Sequence, residues 1–342
     1  MRDAAEPQRR PLAPHDTRAK IPLPVISHAD VVAARRLIEG RIHRTPLVTS
    51  RTLGDICGST KAFLKVEAFQ RTGSFKPRGA LNKVLHLSDE QRHAGLVAAS
   101  AGNHAQAVAY AATSEGVKCT VVMPETAPFS KIEASRRYGA EVILEPSFAD
   151  AFRRADQLRT EMGYTFIHPY DDEHIIAGAG TVGLEIVEDL PDVDAIVVAT
   201  GGGGLVVGIA AAIEATHPHV RIIGVEPEGA AGLYAALDAG QVVQLDRIRT
   251  IADGLATPST GRIVLEHART MVDEVVLVSD EEIIQAMLFL LERSKIMAEP
   301  AGAAAVAAML AGRISFPPES NIVAVISGGN IDLSMLRTFL PT

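Results

Sequence analysis

The sequence predicts an α/β protein built on two open parallel sheets, and three observations carry that expectation. Seven short runs rich in Val and Ile lack strict alternation and stop at or beside Gly, Pro, Ser or Thr. They are "GLVAAS" (95–100), "CTVVMP" (119–124), "AEVILE" (140–145), "DAIVVAT" (194–200), "VRIIGVEP" (220–227), "EVVLVS" (274–279) and "NIVAVISGG" (321–329), the pattern of strands buried on both faces. Ala-rich helical stretches such as "HAQAVAYAATSEG" and "LVVGIAAAIEAT" lie between them, and that rhythm lays helices on both faces of a parallel sheet. The runs fall into two groups, near 95–170 and near 190–330, and 342 residues suit two sheets with a cleft between them better than one.

Composition narrows the function classes. A chain that is 47% hydrophobic and 22% charged is globular. Its formal charge of −8, with no dense basic stripe, argues against a nucleic-acid partner. No run of 18 apolar residues exists, so no membrane-spanning helix is expected. Cys57 and Cys119 form no zinc or redox pattern; they read as small core residues of a reducing compartment, and the cytoplasm is the expected location. Residues 1–20, "MRDAAEPQRRPLAPHDTRAK", mix both charge signs with three prolines and lack an apolar signal core, so they read as a flexible arm.

In open α/β sheets ligands bind beyond the carboxyl ends of the strands, where loops meet helix N-termini. Three such junctions are loaded. Gly201, Gly202, Gly203 and Gly204 follow a strand and open a helix, so several backbone N–H groups can converge on one anion. Val206 and Val207 stand where a dinucleotide fingerprint needs its third glycine, yet Glu226 ends the next strand at the spacing of a ribose-binding acid. An NAD-dependent oxidoreductase therefore stays open as a rival. "SAGNHAQ" (100–106) offers Ser100 and Asn103 beside small residues, suited to a carboxylate or a phosphate, or to nothing more than a helix cap. "SGGN" (327–330) could set Ser327 beside a flat ligand, or be a simple turn. His168 and His174 show no metal-ligand spacing and read as loop residues.

Lys76, in "QRTGSFKPRGAL" (70–81), is ambiguous by itself. A lysine becomes a nucleophile when burial or nearby positive charge lowers its pKa. Phe75 supplies an apolar neighbour and Pro77 a stiff turn, while Arg78 either tunes the lysine with its charge or pairs with a carboxylate elsewhere, and the sequence does not choose. Isolated, the segment reads as solvated surface; beside three anion-binding junctions it reads as a prepared amine.

Together, "SFKPRGA", "SAGNHAQAVA", "TGGGGLVVGIA" and "SGGN", in this order and spacing, resemble the fold type II pyridoxal-phosphate enzymes, which share the tryptophan synthase β-like fold. Within them the chain is similar to the threonine/serine dehydratase and serine racemase group. "HRTPL" (43–47), "LKVEAFQRTGSFK" (64–76), "HPYDDEHIIAGAGT" (168–181), "IADG" (251–254) and "EPAGA" (299–303) extend the likeness from about residue 25 onward. The resemblance implies a large cofactor-binding domain from 21–90 and 171–342, a small domain from 95–170, and pyridoxal 5′-phosphate in the cleft between them. It implies that Lys76 carries the cofactor, that Phe75 lies beside its ring, and that Gly201 to Gly204 and Leu205 cradle its phosphate. Asn103 would bond the ring hydroxyl, Ser327 would face the ring nitrogen, and Ser100, Ala101, Gly102, Asn103 and His104 would bind the substrate carboxylate. A serine at the ring nitrogen does not force protonation, which favours elimination over transamination.

The activity so implied is β-elimination from a 3-hydroxy amino acid, by default L-threonine or L-serine, giving a 2-oxo acid and ammonia, with Lys76 as the base. Departures from the family pattern qualify it. Serine racemases carry a second serine where this chain has Ala101, which disfavours racemisation, and many relatives have Gln where it has Ala179. These changes leave open a specialised dehydratase for 3-hydroxyaspartate, phenylserine or an intermediate of hydroxyectoine breakdown. A silent amino-acid-binding protein is a further alternative, disfavoured by the intact lysine motif. Glu226 and the Ala230 carbonyl match two ligands of the family's divalent-metal site, but Gly232 replaces the second acid, so Mg²⁺ would be held weakly at best. The chain stops soon after "SGGN", so no regulatory domain is expected, and the family implies a homodimer.

Overall fold

In the computed structural model, residues 26–58 and 60–340 are described; the arm expected at 1–20 lies outside them. Among the described residues ten strands form two sheets. The first strand β1 (Leu47–Thr49) and β2 (Lys61–Val66) precede β3 (Leu96–Ala99), β4 (Cys119–Pro124), β5 (Glu141–Glu145) and β6 (Thr165–Phe166). There follow β7 (Ala195–Ala199), β8 (Arg221–Pro227), β9 (Glu274–Val278) and β10 (Asn321–Ile326). The six-stranded sheet runs β1-β2-β10-β7-β8-β9 and the four-stranded sheet β5-β4-β3-β6. Every pairing is parallel except the edge strand β1, which runs antiparallel to β2. All seven expected strands are present, β4 with the expected bounds and the other six trimmed by a residue or a few at their ends, and β1, β2 and β6 join them.

Side chains are buried on both faces of β3, β4, β7 and β10 along their full length, which is why those runs show no polar alternation. Apolar area removed from water on both sheet faces is the main drive to this architecture.

The helix Glu173–Asp189 is the spine of the larger unit. It crosses the helix Lys76–Leu85 and the helix Gly204–Ile213 with backbone against backbone. A Cβ at Gly178 would lie 2.4 Å from the Arg78 carbonyl, and one at Gly180 would lie 2.4 Å from the Gly208 carbonyl. No side chain larger than hydrogen fits these crossings, so two of the ligand-facing helices are fixed to a common post.

A buried ion cluster locks the same junction. Arg78 is fully buried, and all five N–H bonds of its guanidinium are engaged. Nε and Nη2 each donate at 2.8 Å to Glu67, while Nη1 and Nη2 donate to Glu185 at 2.7 and 3.0 Å and Nη1 to Thr181 at 3.1 Å. Lys65 Nζ adds bonds of 2.6 Å to Glu185 and 2.7 Å to the Thr45 carbonyl. Two cations thus meet two carboxylates, all nearly free of water. Such a set is tolerable only when complete, because any uncompensated member would carry a large desolvation cost.

Removing the guanidinium in Arg78→Met leaves Glu67 buried with only the Thr45 hydroxyl as partner, and Glu185 with only Lys65. We expect a loss of about 3–5 kcal/mol in urea denaturation, and Arg78→Lys to recover little of it, because an ammonium cannot make both forks. Burial opposes ionisation of Glu185, but Arg78 and Lys65 hold its carboxyl below the ordinary 4.5. Its contribution is therefore full above that value and lost as pH falls through the lower folded-state value. The stability gap between the unaltered protein and Arg78→Met should accordingly narrow as pH falls through that value.

Candidate active site

A cavity of about 290 Å³ opens at the carboxyl ends of β3, β7 and β10. It gathers Phe75, Lys76, Ser100, Gly102, Asn103, His104, the stretch Gly201 to Leu205, and Ser327. These residues come from four segments separated by up to 252 positions in the chain (327 less 75). Ala101, Glu226 and Ala230, also singled out in the sequence, do not line it.

Lys76 begins its helix, with Pro77 in the first turn where a missing N–H costs nothing. The loop before it turns through left-handed Thr72 (φ 60°) and Gly73 (φ 75°). It is then stitched to the "SGGN" loop: the Phe75 N–H donates to the Ser327 carbonyl at 3.0 Å, and Ser74 bridges Gly328. Lys76 Nζ donates to the Pro169 carbonyl at 2.8 Å and lies 5.0 Å from the Phe75 ring centre. Burial pulls its pKa down to about 8, against the opposing pull of Glu299. Arg78 plays no part in this. Its charge is spent on Glu67 and Glu185 in the core, so of the two roles the sequence left open it takes the carboxylate pairing.

The glycine run shapes a cradle. Gly203 sits at φ 89°, a left-handed turn that admits a side chain only with strain. A Cβ at Gly202 would lie 2.2 Å from the Tyr170 ring, so the loop can hug that ring only as glycine. Among the described residues, the N–H groups of Gly201, Gly202 and Gly203 have no acceptor. Those of Gly204 and Leu205 belong to the first helical turn, whose donors point outward. Buried, converging N–H groups at the positive end of a helix fit a phosphate.

Opposite them, Asn103 Nδ2 lies 2.5 Å from Glu299 Oε1, and Asn103 Oδ1 accepts from Asn330 Nδ2 at 2.9 Å. Glu299 is buried, and burial foremost, with Asp253 adding to it, pushes its pKa up to about 8. It therefore serves mainly as a neutral partner near pH 7. Gly328 makes room for it, since a Cβ there would sit 2.3 Å from Glu299 Oε1. Ser327 is buried with its hydroxyl 3.4 Å from the Ala301 carbonyl. His104 donates from Nε2 to the Ile167 carbonyl at 2.8 Å, and burial lowers its pKa to about 3, so it is uncharged.

Four further lining residues, Glu299, Tyr170, Lys131 and Asp253, were not identified in the sequence as functional. "EPAGA" and "IADG" were the visible signals for Glu299 and Asp253; Lys131, which forms an ion pair with Asp253, had none.

The Glu226–Ala230 metal set is not assembled. Glu226 is fully buried, and its two oxygens accept from the Leu233 N–H at 2.9 Å and the Tyr234 N–H at 2.8 Å. It caps the helix Gly232–Ala239, and burial pushes its pKa up to about 8 despite those bonds. Among the described residues no group of three or more His, Cys, Asp or Glu side chains could hold a metal ion. The same burial removes Glu226 as a ribose partner and with it the sequence case for NAD. His168 Nδ1 accepts from the Asp171 N–H at 2.8 Å, a loop role as expected. Both cysteines are free, and no helix among the described residues is long and apolar enough to cross a membrane.

The family described as "Pyridoxal-phosphate dependent enzyme" matches residues 38–328. An L-threonine ammonia-lyase of Thermotoga maritima is 46% identical over 313 residues, 91% of this chain and 77% of that protein. A catabolic L-threonine dehydratase of Staphylococcus aureus is 44% identical over 91% of this chain and 90% of its own. Among solved structures, a threonine deaminase from T.th. superposes with a TM-score of 0.83 at 42% identity, covering 90% of this chain and 99% of that one. Maize serine racemase gives a TM-score of 0.88 at 37% identity over 92% and 96%.

A lysine with a lowered pKa presents a neutral amine earlier than its solvated counterparts. In the apoprotein we expect arylation of Lys76 by fluorodinitrobenzene, followed by peptide mass mapping, to be half-maximal near pH 8 rather than the ordinary 10.5. A profile rising only above about pH 10, the range of a solvated lysine, would contradict the buried-amine geometry.

Proposed function

The chain belongs to the pyridoxal-phosphate dependent enzymes, and from that premise we propose that it is an ammonia-lyase of 3-hydroxy amino acids, with L-threonine or L-serine as default substrate. The observation that carries this reading is the meeting, in one cavity, of a lysine lowered to about 8 and a cradle of unpaired backbone N–H groups. The names of the Thermotoga and Staphylococcus relatives support it.

Bound pyridoxal phosphate supplies an electron sink that acidifies the Cα proton of an attached amino acid and eases departure of a β-substituent. Gly201 to Leu205 would hold its phosphate, Phe75 would flank the ring, and Asn103, steadied by Glu299 and Asn330, would bond the ring hydroxyl. Ser327 would meet the ring nitrogen with a hydroxyl that carries no charge. The Ser100–His104 turn would take the substrate carboxylate through its N–H groups and the Ser100 hydroxyl. Lys76 would hold the cofactor between turnovers and, with its amine free, would be the base for the Cα proton. Water leaves from Cα and Cβ, and a second water releases ammonia from the resulting enamine, so a 2-oxo acid forms with no net oxidation. Ala101 provides no proton acceptor, which supports elimination over racemisation. We include in this reading a homodimer working in the cytoplasm.

The test is direct. The enzyme loaded with pyridoxal phosphate should release ammonia and 2-oxo acid in equal amounts from L-threonine or L-serine. Borohydride should fix a phosphopyridoxyl group on Lys76, seen by peptide mass mapping. Lys76→Ala should lower turnover by about 10²–10⁴-fold or more. A label on any other residue, or full turnover without Lys76, would sink the assignment.

A further inference from the structure

The reading above leaves the substrate's side chain open, and one wall of the cavity bears on it. Phe148 and Phe152 stand one turn apart on the helix Phe148–Met162, so their side chains share a face. Both line the cavity that holds Lys76, yet they are 47% and 37% exposed. Large apolar rings left uncovered beside a binding site mark surface that a ligand covers.

The two rings are locked rather than loose. Phe148 meets Phe152 edge-on with centres 5.2 Å apart, and Phe152 lies 6.2 Å from Phe166. The series continues from Phe166 to His168 at 6.1 Å and from His168 to Tyr170 at 4.7 Å. Tyr170 in turn is the ring pressed against Gly202 of the phosphate cradle. An unbroken file of rings therefore runs from the rim of the cavity to the cofactor end. Its start is fixed by the Ser147 hydroxyl, which accepts the Asp150 N–H at 3.1 Å.

Charge points the same way. A side-chain carboxylate would need a free cation in the lining. Lys131 is already paired with Asp253, Lys76 is committed to the cofactor in this reading, and burial keeps His168 below its ordinary pKa. Ile175 and Ala179 add further apolar lining.

We propose that Phe148 and Phe152 form the wall on which the substrate's Cβ substituent rests. The enzyme then selects 3-hydroxy amino acids bearing an apolar group larger than the methyl of threonine, aryl or branched alkyl, and rejects a carboxylate there. This rests on the ammonia-lyase reading and deepens it.

The experiment compares kcat/KM for ammonia release by the loaded enzyme from serine, threonine, 3-phenylserine, 3-hydroxyleucine and 3-hydroxyaspartate. Calorimetry adds the dissociation constants of phenylalanine and alanine, which have no β-leaving group. Phenylserine should exceed serine by about tenfold or more, and phenylalanine should bind at least about tenfold tighter than alanine. Phe148→Ala and Phe152→Ala should each cut both ratios severalfold, while Phe152→Tyr, which keeps the ring, should retain them. Serine matching phenylserine, ratios unmoved in both alanine variants, or 3-hydroxyaspartate used as well as phenylserine would each overturn the wall while leaving the lyase intact. Ammonia from none of the five would overturn the lyase reading and this one together.

Discussion

The fully buried Arg78 cluster sets the position of everything around it. Residues two apart in a helix point to nearly opposite sides, so Arg78 enters the core while Lys76 enters the cavity. Polar contacts of ordinary strength spread over the surface would not fix an amine in space. One guanidinium held in two carboxylate forks does, because neither fork can slip without stranding a charge away from water. Glu67 comes from the turn after β2 and Glu185 from the spine helix, so the cluster ties a strand end and two helices to one point.

With that frame rigid, the chemistry rests on burial more than on nearby charge. Lys76 and Glu299 are both brought to about 8 from opposite directions by the same loss of water. Near pH 7 the cavity thus holds a readily deprotonated ammonium, a mainly neutral Glu299 and unpaired N–H donors, a surrounding that favours an anionic ligand. The glycine cradle and the neutral Asn103–Glu299 pair are then complementary: one side is built for a phosphate, the other for a polar group that must not be ionised by its neighbour.

Much of this was legible in the sequence, and the omissions have physical causes. The seven strands were readable because burial on both faces imposes an apolar run. Strand β2 was not, because Lys61 and Lys65 interrupt it, and Lys65 finds its balancing charge in Glu185, 120 residues away. Strand β6 is two residues long, too short for any periodicity. The glycine run could be recognised from its neighbours in the chain, whereas Lys76 became readable only beside the three anion-binding junctions. Glu299 was visible only as part of "EPAGA", and its role was not readable there, since its partner Asn103 lies 196 residues away. Glu226 shows the converse: its spacing fits a metal ligand, but spacing does not say whether a carboxylate turns outward or caps the next helix.

The place of β10 has a consequence for how the molecule is made. It lies between β2 and β7 in the larger sheet, yet it leaves the ribosome after both. Until it arrives, β2 and β7 each show an open edge, and the Lys76 loop lacks the Ser327 carbonyl and Gly328 that hold it. The earlier part of the chain therefore waits, unsealed, for a central strand made after both of its neighbours, and the cavity around Lys76 closes in the same event that completes the sheet.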